Sequence, residues 1–136
     1  MMMQRLFEGV TPVSTYTRAD AIGDGVLVDA SIVAKEAGFT CPVAVTKAVW
    51  SDCVKWGQED TKRQAPQDEE GRLWDVIYMC LQTARYTKVE GAFYFILYRI
   101  PRGGRGRKAR LTRLKAHIGP GDDGEGAITI MKPDES

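Results

Sequence analysis

The chain has 136 residues, 43% of them apolar, with nineteen basic and eighteen acidic side chains for a net charge of +1. That suffices for one domain burying roughly two thirds of its unfolded surface, and no stretch approaches the roughly 18 apolar residues of a membrane span. The near-neutrality is a cancellation: residues 1–98 carry −3, residues 99–118 +8 and residues 119–136 −4, so a dipolar surface field is expected.

Residues 1–10 lack the continuous apolar core of a signal peptide, and residues 1–12 are expected to be a flexible N-terminus. Thr15 or Thr17 is placed to cap a short helix through Arg18, Ala19, Asp20, Ala21 and Ile22, which Gly23 and Gly25 would stop. Val26, Leu27 and Val28 read as a brief apolar link. Asp29 or Ser31 then caps a second helix with Ile32, Val33 and Ala37 on its apolar face and Gly38 at its end.

After Cys41-Pro42, Val43-Ala44-Val45 reads as a short extended link. Thr46 caps a helix ending near Gly57, in which Val49, Trp50, Cys53 and Val54 recur at helical spacing. Residues 58–70 are polar and charged around Pro66 and are expected to form a long loop. A longer helix over about 70–86 follows from Leu73, Trp74, Ile77, Cys80, Leu81 and Ala84, with Glu69 and Glu70 suiting the positive end of its dipole.

The run Phe93-Tyr94-Phe95-Ile96-Leu97-Tyr98-Arg99-Ile100 predicts a strand buried on both faces. Pro101 and the glycines at 103, 104 and 106 mark a turn. A return strand follows over about 108–118, where Thr112, Leu114, Ala116 and Ile118 alternate with Leu111, Arg113, Lys115 and His117. Residues 119–126 form a second turn, and Ala127-Ile128-Thr129-Ile130-Met131 a third strand. The expected fold is a single α+β domain over residues 1–136, with N-terminal helices packed on a C-terminal three-stranded antiparallel meander.

Eight of the nineteen basic residues fall within 99–118, which holds no acid: Arg99, Arg102, Arg105, Arg107, Lys108, Arg110, Arg113 and Lys115. In a functional reading of this basic hairpin, Arg102, Arg105, Arg107 and Lys108 form a mobile finger. Arg110, Arg113 and Lys115 extend it along the strand as a single cationic ribbon. Arginine forks suit phosphates, and a two-stranded ribbon fits a major groove. Docking on an acidic protein surface is the other functional reading, and ahead of both stands a solvated charged strand that protects a sheet edge and pairs with acids elsewhere.

Other residues point to packing. Phe93, Tyr94, Phe95 and Tyr98 precede the basic turn, where base stacking is conceivable, but an unbroken apolar run is read as core. Trp50 and Trp74 are expected in the core and Trp56 partly exposed. His117 is the only histidine, and Cys41, Cys53 and Cys80 form no C-x-x-C pair, so reduced thiols in a cytosolic protein are expected and neither a zinc site nor a nucleophile-base pair is indicated. Asp122, Asp123 and Glu125 in their glycine-rich stretch match no calcium-loop spacing and read as a turn. An enzyme would require distant carboxylates such as Asp24, Asp29 and Asp75 to converge in a cleft. No cofactor is expected.

The linked segments Thr17-Arg18-Ala19-Asp20-Ala21-Ile22-Gly23-Asp24-Gly25, Pro42-Val43-Ala44-Val45-Thr46, Gly71-Arg72-Leu73-Trp74-Asp75-Val76 and Gly119-Pro120-Gly121-Asp122-Asp123-Gly124-Glu125 carry a resemblance. The chain resembles an uncharacterised family of small proteins common on bacterial plasmids, integrative elements and phages. It departs from that pattern at Gly126, where a proline is usual, and in having Lys132 before Pro133. The resemblance assigns no catalytic residue. It implies an accessory protein of a mobile element, since such genes often counter host restriction or CRISPR systems. The resulting expectation is a non-enzymatic, anti-CRISPR-like inhibitor binding a host defence protein complex. The alternative is a small nucleic-acid-binding protein for element maintenance or regulation. Both would act through Arg102, Arg105, Arg107, Lys108, Arg110, Arg113 and Lys115, and the oligomeric state is left open.

Overall fold

A computed structural model describes residues 16–87 and 91–135, so the expected flexible stretch at residues 1–12 lies outside the described residues. Helix α1 (Arg18–Gly23) begins with a reciprocal cap. The Thr17 hydroxyl accepts from the Asp20 N–H at 2.9 Å, and the Asp20 carboxylate accepts from the Thr17 N–H at 3.1 Å. Strand β1 (Leu27–Asp29) leads to helix α2 (Ser31–Ala37), where the Asp29 carboxylate accepts from both the N–H and the hydroxyl of Ser31. Gly38, at φ +125°, then reverses the chain, a backbone angle that side-chain-bearing residues rarely take.

Strand β2 (Val43–Thr46) runs into a single helical turn, α3 (Lys47–Val49), which Thr46 caps and which loosens into a π-helical turn over Trp50–Val54. Helix α4 (Gln58–Arg63) lies inside the segment 58–70 that polarity predicted to be a loop. Helix α5 (Glu69–Tyr86) starts at Asp68, whose carboxylate accepts from the Gly71 N–H. Strands β3 (Ala92–Arg99), β4 (Arg110–Pro120) and β5 (Gly126–Met131) complete the described chain.

The strands form one five-stranded sheet in the order β1-β2-β5-β4-β3. The β2–β5 pair is parallel and the other pairs are antiparallel. This corrects the expected three-stranded antiparallel meander, although the mixed α+β class holds. The two segments read as apolar links are strands, and β2 adds to the free edge of β5, a contact invisible to any pattern within either segment. Val43 stands opposite Ile128 and Val45 opposite Ile130.

One sheet face carries the core. Val43, Val45, Phe93, Phe95, Leu97, Leu114, Ala116, Ile128 and Ile130 are buried there in one cluster with Ala34 of α2 and Val76, Ile77, Cys80 and Leu81 of α5. The second face is divided. Along β2 and β5 it is closed, with Ala44, Ala127 and Met131 all buried. Arg18 of α1 reaches across it, donating to the Thr129 hydroxyl at 2.7 Å and to the Ile128 carbonyl. Along β4 and β3 it is open to solvent.

Candidate functional site

Strand alternation sets the open face. Phe93, Phe95 and Leu97 of β3 point into the core, so Tyr94, Ile96 and Tyr98 point the other way, and they are 47%, 49% and 67% exposed. The expectation that this strand is buried on both faces is thereby corrected: β3 is an edge strand, and the described residues cover only one of its faces. Across the register, Tyr94 stands opposite Lys115, Ile96 opposite Arg113 and Tyr98 opposite Leu111. The Arg113 guanidinium lies over the Tyr94 ring, 4.0 Å from its centroid, within the roughly 6 Å range of a cation–π contact. A patch of aromatic, aliphatic and cationic groups results, with the exposed His117 at its far end.

The Tyr98–Leu111 end of this patch runs into the loop of residues 100–109, whose base is built. The buried polar or charged residues among those described are Asp60, Gln64 and Arg72. All three hold this loop. Gln64 donates to the carbonyls of Pro101 and Gly106, at 2.8 and 2.7 Å, and accepts from the Gly103 N–H at 2.9 Å. Asp60 accepts from the Gly57 N–H and pairs with Arg102 at 2.8 Å and with Arg63 at 3.1 Å. The Arg102 hydrogen bond, foremost, holds its carboxyl below the usual range. Arg72 donates from Nε to the Val54 carbonyl and from Nη1 to the Ile100 carbonyl, both at 3.0 Å, with its guanidinium stacked on Trp56. Burial of Arg72 lowers its pKa, and four carbonyl oxygens, of Val54, Ile100, Asp52 and the Gln67 side chain, accept hydrogen bonds from its guanidinium.

The basic residues therefore divide. Arg102 is bound to Asp60, and Lys115 donates to the Glu135 carbonyl at 2.6 Å. Arg99 pairs with Asp52 at 3.0 Å, and Lys132 approaches the same carboxylate at 2.6 Å. Burial pushes the Asp52 carboxyl up, but the hydrogen bonds and charges of Lys132 and Arg99 together outweigh it and hold the pKa below its usual value. Arg105, Arg107, Lys108 and Arg110 are exposed, with no acidic partner among the described residues. Arg110 stands opposite Arg99, on the core-side register of β4, whereas Arg113 and Lys115 belong to the open face. One continuous cationic ribbon is thus replaced by a loop cluster at the sheet end and a separate pair on the face.

The two tryptophan expectations exchange places. Trp56 is buried at 5% exposure, its indole N–H donating to the Thr61 hydroxyl at 3.1 Å, while Trp74 is 38% exposed and stacked on Tyr78. Trp50 is partly buried against the core. The acidic turn is tied to α1, where the Asp122 carboxylate accepts from the N–H groups of Arg18 and Ala19 at 2.8 and 3.0 Å. No cluster of three or more metal-ligating side chains occurs among the described residues. A surface pocket of about 650 Å³ beside α2 includes Cys41 and Lys35 but no histidine or carboxylate in its lining. Burial raises the thiol pKa of Cys41 and raises those of Cys53 and Cys80 to about 11 and about 12. No helix among the described residues is long and apolar enough to cross a membrane.

Sequence reasoning missed Tyr94 and Tyr98 as surface residues, and Asp60, Gln64 and Arg72 as supports of the loop. The tyrosines had a signal: both fall on one parity of β3, and both phenylalanines on the other. The support residues had none, because their partners in the loop lie 28 to 42 positions along the chain. Residues 3–136 match the model of a Family of unknown function (DUF6573), and the chain belongs to that family. No curated protein and no solved structure matches.

Proposed function

We propose that this member of the family works without catalysis, by stoichiometric binding of nucleic acid where the open face of β3 and β4 meets the basic loop, as an accessory protein of a mobile element. The observation that carries this reading is that the buried polar residues Asp60, Gln64 and Arg72 are all committed to the loop presenting Arg105, Arg107 and Lys108. Burying polar groups is costly unless each is satisfied. A loop held this way loses little entropy when a ligand arrives. Exposed aromatic rings next to it suit a polyanion that has bases.

The mobile-element setting rests on the sequence resemblance. The test is binding of the purified chain to labelled DNA and RNA across a salt series. Each phosphate contact adds about 0.7 to 0.9 to the slope of log affinity against log salt. Replacing Arg105, Arg107, Lys108 and Arg110 together by glutamine is expected to flatten that slope while leaving the thermal transition near wild type. Absence of affinity for either nucleic acid at low salt would end this reading.

The exposed, stacked Trp74 and Tyr78 on α5 favour a second reading. They form an aromatic patch of the kind that anchors protein interfaces, consistent with inhibition of a host defence complex. Trp74→Ala would then abolish protection in a phage or plasmid challenge without changing nucleic-acid affinity.

A further inference from the structure

Resting on the nucleic-acid reading above, we infer that the ligand is a single strand, laid along β3 and β4 with its bases against Tyr98 and the Tyr94–Arg113 stack and its phosphates running toward the basic loop. The geometry disfavours duplex. A major groove about 12 Å wide admits a two-stranded ribbon but not a broad sheet. Here β3 and β4 belong to a sheet of five strands, roughly 20 Å across at the usual strand spacing, with α5 packed on its other face. The ribbon's tip is also tied down at Pro101, Gly103 and Gly106 by Gln64.

What the sheet offers instead is a platform. Tyr94 and Tyr98 lie on one face, four residues or about 13 Å apart along the strand, with the exposed Ile96 between them. Duplex bases keep their faces stacked on each other, so such rings are of use only to unstacked bases. The Tyr94 ring already carries the Arg113 guanidinium, itself a flat cationic surface on which a base stacks. Lys115 beside it is turned toward the Glu135 carbonyl and fixes the border of the platform.

The test is equilibrium binding of the full-length chain to a labelled oligothymidylate, an oligouridylate of the same length and a duplex, with heparin as a polyanion without bases. Single strands are expected to bind more tightly than duplex. Tyr98→Ala and Tyr94→Ala are each expected to weaken single-strand binding about tenfold without weakening heparin binding. Tyr98→Phe, which keeps the ring, is expected to bind as wild type, and comparing the thymidylate and uridylate arms identifies DNA or RNA as the natural partner. Duplex binding as tight as single-strand binding, or alanine variants that bind single strands like wild type, would overturn the inference while leaving the broader reading intact. Failure of all probes to bind at low salt would remove both.

Discussion

Replacing Gln64 by leucine isolates the preorganisation of the basic loop. The side chain is 1% exposed and makes three hydrogen bonds to loop backbone, at 2.7 to 2.9 Å. Leucine fills similar space and makes none of them. At a net 0.5 to 1.5 kcal/mol per bond the loss spans about 1.5 to 4.5 kcal/mol. Residues 102–110 are exposed and Pro101 is half-buried, so the freed Gly106 carbonyl and Gly103 N–H turn to water, and the cost falls toward about 2 kcal/mol. That cost belongs to local opening, because the core cluster does not include this loop. Where opening is fast relative to cleavage, tryptic cutting after Arg105 or Arg107 should speed up roughly 30-fold. The check is mass-spectrometric timing of that cut, with urea unfolding run in parallel. A wild-type rate of loop cleavage in a folded Gln64→Leu protein would refute the claim that this side chain holds the loop.

Three further outcomes follow from other contacts. Asp122→Ala removes both acceptors at the start of α1, and calorimetry should show a loss of about 1 kcal/mol, a fall of roughly 4 °C in Tm. The Asp52 pKa is lower in the folded chain than its ordinary 3.8, so its ion pairs contribute stability that is present above that value and lost as pH falls through the folded pKa. Asp52→Asn should therefore flatten the acid limb of a urea-midpoint profile below about pH 4, leaving its shape near neutrality unchanged. Cys53 and Cys80 are buried with raised pKa values and Cys41 is partly exposed. Native protein at pH 8 should thus show one slowly labelled thiol, and unfolded protein three.

Much of the fold is legible wherever the evidence lies within one segment. Helical spacing of Leu73, Ile77, Cys80 and Leu81 places α5 to within a residue of its observed start, and Thr17 caps α1 as its chemistry predicts. Alternation sorts β4 correctly into Leu114 and Ala116 inside and Arg113 and His117 outside. The rest depends on partners distant in sequence. Val43-Ala44-Val45 becomes a strand only because β5 lies beside it. Residues 58–63 become helical where Asp60 and Gln64 find Arg102 and the loop carbonyls. The candidate site follows the same division. Local charge density marked the basic loop, but pairing across the fold decides which cations are occupied, and the apolar character of β3 hid a face that a sheet edge leaves open.

The most direct measurement is a two-dimensional amide NMR titration of the full-length chain with a short single-stranded oligonucleotide. Shifts are expected to concentrate at Tyr94, Ile96, Tyr98, Leu111, Arg113 and the loop glycines, with α2 and the β1–β2 end of the sheet unmoved. Shifts confined to Trp74 and Tyr78, or none across β3, β4 and the loop at saturating oligonucleotide, would contradict the assignment of this face as the binding surface.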